Sequence, residues 1–310
     1  MQPRPIFGSF VSRWRGAVVG FLLCTSILMP AVEISHTPMV FKQGGSADKP
    51  VEFDGKGMIV DVGVNVTNHA WQKQGEVWTA SARLATWEPV TPGLCTGLFI
   101  DELPLALGID KEAQGKRAKG DQRNRYLPAS ALEPGQMGCT ESGIVYFRWP
   151  AGKVPERSQL FIPPQTGTSA VSIDCSHIII RNLTAMHAAN DGFNIHGAHK
   201  GIRMEGIRAF SNADEGISAH DTVEMQVSKA EVAWNASYDG GVVDADNSTT
   251  SYDDCIIHDN LLGKAAAFKF FGGTHKVTNT VIYNQKLDFR LNGEGVFSQD
   301  KITNKGFASR

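Results

Sequence analysis

In the second half of the chain, short apolar runs return at a fixed interval. An acidic residue followed by glycine occurs at Asp191-Gly192, Glu215-Gly216 and Asp239-Gly240, 24 residues apart each time, and a degenerate copy, Lys264-Ala265, follows after 25. After each pair, apolar and polar positions alternate. Phe193, Ile217, Gly241 and Ala266 align, as do Ile195, Ala219, Val243 and Phe268. The interleaved sets are Asn194, Ser218, Val242 and Ala267, then His196, His220, Asp244 and Lys269. A period of two predicts strands, with the first two sets pointing inward and the last two outward. Upstream of each pair a second apolar stretch ends near an asparagine, at Asn212, Asn235, Asn260 and Asn284. Several short strands per repeat, with no helical period, predict an all-β solenoid. Asparagines at matching turns predict amide ladders from coil to coil.

The run Asn190-Asp191-Gly192-Phe193-Asn194-Ile195-His196, the repeated acidic-Gly-apolar pattern and the turn asparagines carry a family likeness. Together they resemble the right-handed parallel β-helix of the pectate-lyase-like superfamily. Residues 47–55 (ADKPVEFDG) are similar to the first coil of secreted bacterial β-helix proteins. The organisation expected is a first coil at 40–65, a β-rich inserted or capping section at 66–170, β-helix repeats at 171–285 and a polar tail at 286–310. The insertion lacks the repeat, is rich in Trp (Trp71, Trp78, Trp87, Trp149) and includes the basic stretch 111–125, expected to be a solvated loop.

Composition narrows the function classes. Lys and Arg number 30 against 32 Asp and Glu, a net charge of −2, which argues against a nucleic-acid binder. Residues 1–15 contain Arg4, Arg13 and Arg15 and no acid, and 16–29 are an apolar run closed by Pro30. That order is the pattern of an export signal or an N-terminal anchor within 1–32. The expected location is therefore secreted or cell envelope, with membrane contact through this segment alone, and the expected state is a monomer. Cys95, Cys139, Cys175 and Cys255 are too few for a disulfide scaffold and form no CxxC pair. A Cys95–Cys139 bridge is conceivable, and buried thiols are equally so. The sequons at Asn65, Asn182, Asn235 and Asn247 matter in a eukaryotic secretory route.

Outward side chains of a parallel solenoid stack at ~4.8 Å per coil. The alignment above therefore predicts a column of His196, His220, Asp244 and Lys269, beside a second of Asp191, Glu215, Asp239 and Lys264. Three close carboxylates repel unless something positive sits among them, with Lys264, a neighbouring His or a divalent cation such as Ca2+ as candidates. The same acids have a structural reading, because Asp and Gly suit tight turns. The family likeness implies a polysaccharide lying along the sheet, the acidic (uronate) polymers foremost. In the lyase version His220 is the base, aided by His196 and Asp244, Lys269 neutralises the sugar carboxylate, and Asn194 and Ser218 bind substrate. The hydrolase branch of the family pairs an Asn-Thr-Asp strand entry with an Asp-Asp pair one coil later. Asn190-Asp191-Gly192 matches it by half, Asp253-Asp254 falls elsewhere in the coil, and the branch's later Gly-His-Gly and Arg-Ile-Lys motifs are missing, so the resemblance disfavours that branch. A non-catalytic glycan-binding envelope protein is the remaining alternative.

Overall fold

The computed structural model describes residues 32–81, 97–116, 125–140, 142–153, 155–163, 168–237 and 239–307. The export segment, Cys95, Trp87 and most of the basic stretch lie outside them. No helix among the described residues is long and apolar enough to cross a membrane.

The chain winds as a parallel β-solenoid with three sheets. The first stacks Met39–Phe41, Val171–Ile173, Phe193–Ile195 and Ile217–Ala219, then the openings of Gly240–Asp253 and Ala266–Thr278, and ends with Leu287–Asn292. The second runs from the start of Val51–Asp61 through Ile202–Glu205 and Glu224–Ser228 to Val296–Asp300. The third runs from Ile34–Ser35 through Arg208–Phe210, Glu231–Ala233 and Ile256–His258 to Thr303–Asn304. Inward residues of all three sheets, among them Phe193, Ile217, Val242, Phe268, Met204, Tyr252 and Ile257, form one continuous core. A run of parallel strands buried on the inside needs this supply of branched and aromatic side chains once per coil.

Residues between Val51–Asp61 and Val171–Ile173 leave the solenoid at the turn from third to first sheet. They form a five-stranded and a four-stranded sheet over a second core that includes Leu98, Ile100, Met137 and Phe147. Trp71 meets Phe147 edge-on at 5.3 Å, and Trp78 meets Trp149 at 6.1 Å. Lys111–Gly115, in the basic stretch, is a short helix.

The turn from third to first sheet explains the sequence repeat. Asn212, Asn235 and Asn260 are buried in a ladder: Asn212 Nδ2 donates to Asn235 Oδ1 at 2.9 Å, and Asn235 Nδ2 to Asn260 Oδ1 at 2.9 Å. Each Oδ1 also accepts a backbone N–H from the coil before, at 3.1–3.2 Å. The fourth rung is Gln285, whose carbonyl accepts from Asn260 Nδ2 at 3.3 Å. Asn284 faces Asp259 instead. The ladder also dictates the glycines. A Cβ on Gly192 would lie 2.6 Å from Asn212 Nδ2, one on Gly216 2.7 Å from Asn235 Nδ2, and one on Gly241 2.5 Å from Asn260 Nδ2. Asn235 lies at zero exposure inside this ladder, so its sequon offers no glycan site.

Two expectations need correction. In the third repeat it is Gly241, not Gly240, that matches Gly216, and Ile217 pairs with Val242. The third repeat therefore moves by one residue and the fourth by two: Val243 and Lys269 are a pair in the outward register, while Asp244 pairs with Ala219 and Phe270 and faces the core. The Gly-Gly dipeptide hides the extra residue, because either glycine satisfies the spacing and the ladder accepts only the second. The tail at 286–310 is also a coil, with Leu287–Asn292, Val296–Asp300 and Thr303–Asn304 one strand per sheet. Phe289 stacks on Phe268 at 5.5 Å, and Phe297 lies 4.9 Å from Phe289.

Candidate functional site

The corrected register redraws both columns. Asp191 precedes Gly192 and Glu215 precedes Gly216, but the residue ahead of Gly241 is Gly240, so Asp239 falls in line with Asp214. One carboxylate oxygen from each of Asp191, Asp214 and Glu215 lies within 4.8 Å of the others. Asp239 is instead held by Lys269 Nζ at 2.7 Å, with Arg290 at 3.6 Å. Asp214 is the site residue that sequence reasoning missed. Its signal was an Asp-Glu pair one coil after Asn190-Asp191, the spacing sought in Asp253-Asp254.

The local sequence aims donors at Asp191. Its Oδ2 accepts from Asn194 Nδ2 at 2.6 Å, Ser218 Oγ at 2.7 Å and Asn190 Nδ2 at 3.1 Å. Asn194 and Ser218, expected to contact substrate, thus serve this carboxylate, and Ser218 is fully buried. Asp191 Oδ1 is buried and accepts no hydrogen bond from a neighbouring donor, and the Asp191 and Glu215 side chains interact directly. Glu215 accepts from Ser237 Oγ at 2.7 Å. Burial raises both members of this pair, and the charge on Asp191 adds to the effect on Glu215, which is pushed up to about 8. Two carboxyls so close hold one proton between them. Three donors to Asp191 Oδ2 favour the charge on Asp191 and the proton on Glu215. Asp214, half-buried beside them, is pushed up to about 7 by burial and by Glu215.

These oxygens do not by themselves suit Ca2+, which takes 6–8 oxygen ligands. Four donors already occupy the Asp191 and Glu215 carboxylates, and the expected third ligand, Asp239, is bound to two cations.

His196 and His220 do form an exterior pair, their rings stacked at 4.4 Å and 6°. His196 Nδ1 lies 3.7 Å from Asp221 Oδ2. Burial, then the neighbouring His196, holds His220 below its ordinary value. Neither of the other residues expected in their column is there. Asp244 is inside the solenoid, and Lys269 lies two residues away along the strand, in line with Ser218 and Val243 and paired with Arg290. Cysteine chemistry finds no support: Cys175 and Cys255 are buried thiols, and burial pushes Cys255 up to about 12.

No protein-family model and no curated protein matches the chain. Two solved structures are similar. One, described as a complex of XylC with xylose, has a TM-score of 0.46 and 8% identity, covering 89% of this chain and 60% of that one. The other, described as a glycoside hydrolase, has a TM-score of 0.39 and 9% identity, covering 88% of this chain and 87% of its own. The chain thus spans about three-fifths of the length of the first.

Proposed function

We propose that the cluster of Asp191, Asp214 and Glu215 hydrolyses a glycosidic bond in a polysaccharide lying along the first sheet. The observation that carries this reading is a half-buried carboxyl that keeps its proton near neutrality, set against a carboxyl–carboxylate pair. Glycoside hydrolysis asks for this division of labour. Asp214 protonates the leaving oxygen as the bond from the anomeric carbon breaks. The Asp191–Glu215 pair accepts the proton of the water that attacks that carbon. Loss of the pair's proton adds negative charge beside Asp214 and raises it further, so the two halves of the site are coupled.

A second reading, a lyase acting on uronate chains, is favoured by one observation. His220 is half-buried on the outward side of the solenoid, and burial together with His196 favours its neutral form, as a base needs. Lys269 and Arg290, one coil apart on the outward register of the first sheet, suit a sugar carboxylate. In either case the protein works outside the cytoplasm, released or tethered through residues 16–32. Fractionation of expressing cells checks this, and a full-length cytosolic product would refute it.

The deciding experiment incubates the protein with neutral and acidic polysaccharides, with and without Ca2+. The expected result is release of reducing ends without unsaturated products, independent of Ca2+. Asp214→Asn should lower the rate by about 100-fold or more, the usual scale for losing a general acid. Ultraviolet-absorbing unsaturated ends that disappear in His220→Ala would establish the lyase. Retention on a glycan column with neither product would leave a binding protein.

A further inference from the structure

Asp244 has left the groove, and its new position has its own chemistry. It is fully buried and stands in a chain of short contacts inside the coil. Thr250 Oγ1 lies 2.6 Å from Asp244 Oδ2 and 2.8 Å from His275 Nδ1. His275 Nε2 lies 2.7 Å from the Gly272 carbonyl, and the ring, itself buried, stacks on Phe270 at 4.3 Å and 4°. Tyr252 donates to Asp244 at 2.9–3.0 Å.

Hydrogen counting constrains this chain. A carbonyl only accepts, so His275 Nε2 carries a hydrogen. The Thr250 hydroxyl has one hydrogen and two neighbours. With Asp244 ionised and His275 neutral, both neighbours would be acceptors. One of the two contacts, at 2.6 or 2.8 Å, would then set lone pair against lone pair. One additional proton removes the conflict. We propose that Asp244, Thr250 and His275 form a proton-binding site sealed inside the solenoid, with the proton on Asp244, which donates to Thr250, which donates to His275 Nδ1.

The surroundings favour this neutral form over an ion pair. Burial pushes Asp244 up to about 7 and holds His275 below its ordinary value. Among the described residues no Lys or Arg approaches Asp244. The titratable groups that face it are Tyr252 and His275, whose Nδ1 is 3.9 Å from Oδ2. The enclosure is tight. At Gly273, with φ of +70°, a Cβ would sit 2.3 Å from the Ser248 carbonyl and 2.8 Å from His275 Nε2. Proton release would strand a carboxylate in the first sheet, next to the strand pair that carries Val243 and Lys269. The site therefore makes that part of the groove sensitive to alkali.

Nitrogen NMR of the whole protein labelled at histidine tests the assignment. Between pH 5 and 6.5, His275 is expected to show a protonated Nε2 and an unprotonated, hydrogen-bonded Nδ1. Two protonated nitrogens on His275 would overturn it. Asp244→Asn offers the same donor to Thr250 through its amide and cannot ionise. It is expected to remove one proton from the pH dependence of unfolding, a tenfold change in the equilibrium constant per pH unit between about 4 and 7. An unchanged slope in this variant would show that the site holds no proton.

Discussion

Asn235 makes more hydrogen bonds than its size suggests: its amide donates to Asn260 and to the Ala209 carbonyl, and its oxygen accepts from the side chain and backbone of Asn212. Removing it leaves several buried groups unpaired, at about 1–3 kcal/mol each before relaxation. Asn235→Ala should therefore cost at least about 3 kcal/mol in urea unfolding; a loss under about 1 kcal/mol would mean that the ladder is incidental. This rung was legible in the sequence because asparagine recurs at the turn and glycine recurs opposite it. The end of the ladder was not, since Gln285 replaces asparagine one residue past the expected Asn284. The slip at Gly240-Gly241 had the larger consequence. Spacing alone cannot say which of two glycines meets Asn260, and that choice decides whether Asp244 faces solvent or core, and whether Asp214 or Asp239 joins the acidic cluster.

At the scale of elements, strands with strong alternation announced themselves and those without it did not. Phe193–Ile195 and Ile217–Ala219 follow the expected pattern of two buried apolar residues around an outward-facing one. The last coil escaped notice because Leu287–Asn292 and Val296–Asp300 carry charges on their outward positions, and a terminal coil has solvent on one side. The inserted section was recognisable as β-rich, but its attachment needed three dimensions. His187 of the solenoid lies between two of its rings, stacked on Phe161 at 4.6 Å and tilted against Phe99 at 5.1 Å, and donates through Nδ1 to Asp61 at 2.8 Å. Ser211 Oγ donates to the Glu102 carbonyl at 2.6 Å. Phe161→Ala should loosen this joint. Hydrogen exchange is expected to speed up across 97–107 and 160–162 while Phe193–Ile195 and Ile217–Ala219 stay protected. Equal acceleration in both regions would mean that the section and the solenoid unfold as one body.

At the scale of the whole molecule, four acids of the described residues shape the response to pH. Asp191, Asp214, Glu215 and Asp244 are all raised by burial. Between their unfolded values near 4 and their folded values, the native chain binds more protons than the unfolded one, so stability falls as pH rises. Each proton contributes up to about 1.4 kcal/mol per pH unit over its window. His258 adds to this trend; burial lowers it, but the hydrogen bonds it donates to Asp259 and Glu231 leave it raised. His220 and His275, both lowered, oppose it near pH 6. Below about pH 4 the sign reverses, as acids held low by partners, such as Asp61 on His187, take up protons. Urea midpoints should therefore peak near pH 5 and decline towards pH 8; a midpoint that rises from 5 to 8 would contradict the burial of these acids in solution.

The proposed chemistry rests on protons retained by the acidic cluster, and carbon NMR of the side-chain carboxyls reads them directly. With Asp and Glu carboxyls labelled, the account expects Asp214 to titrate near pH 7. The Asp191–Glu215 pair is expected to lose its last proton near pH 8, and Glu215→Gln to remove that late step. Titration of all three groups at or below about pH 4.5, as separate solvated carboxylates, would leave the site without an acid and contradict the account.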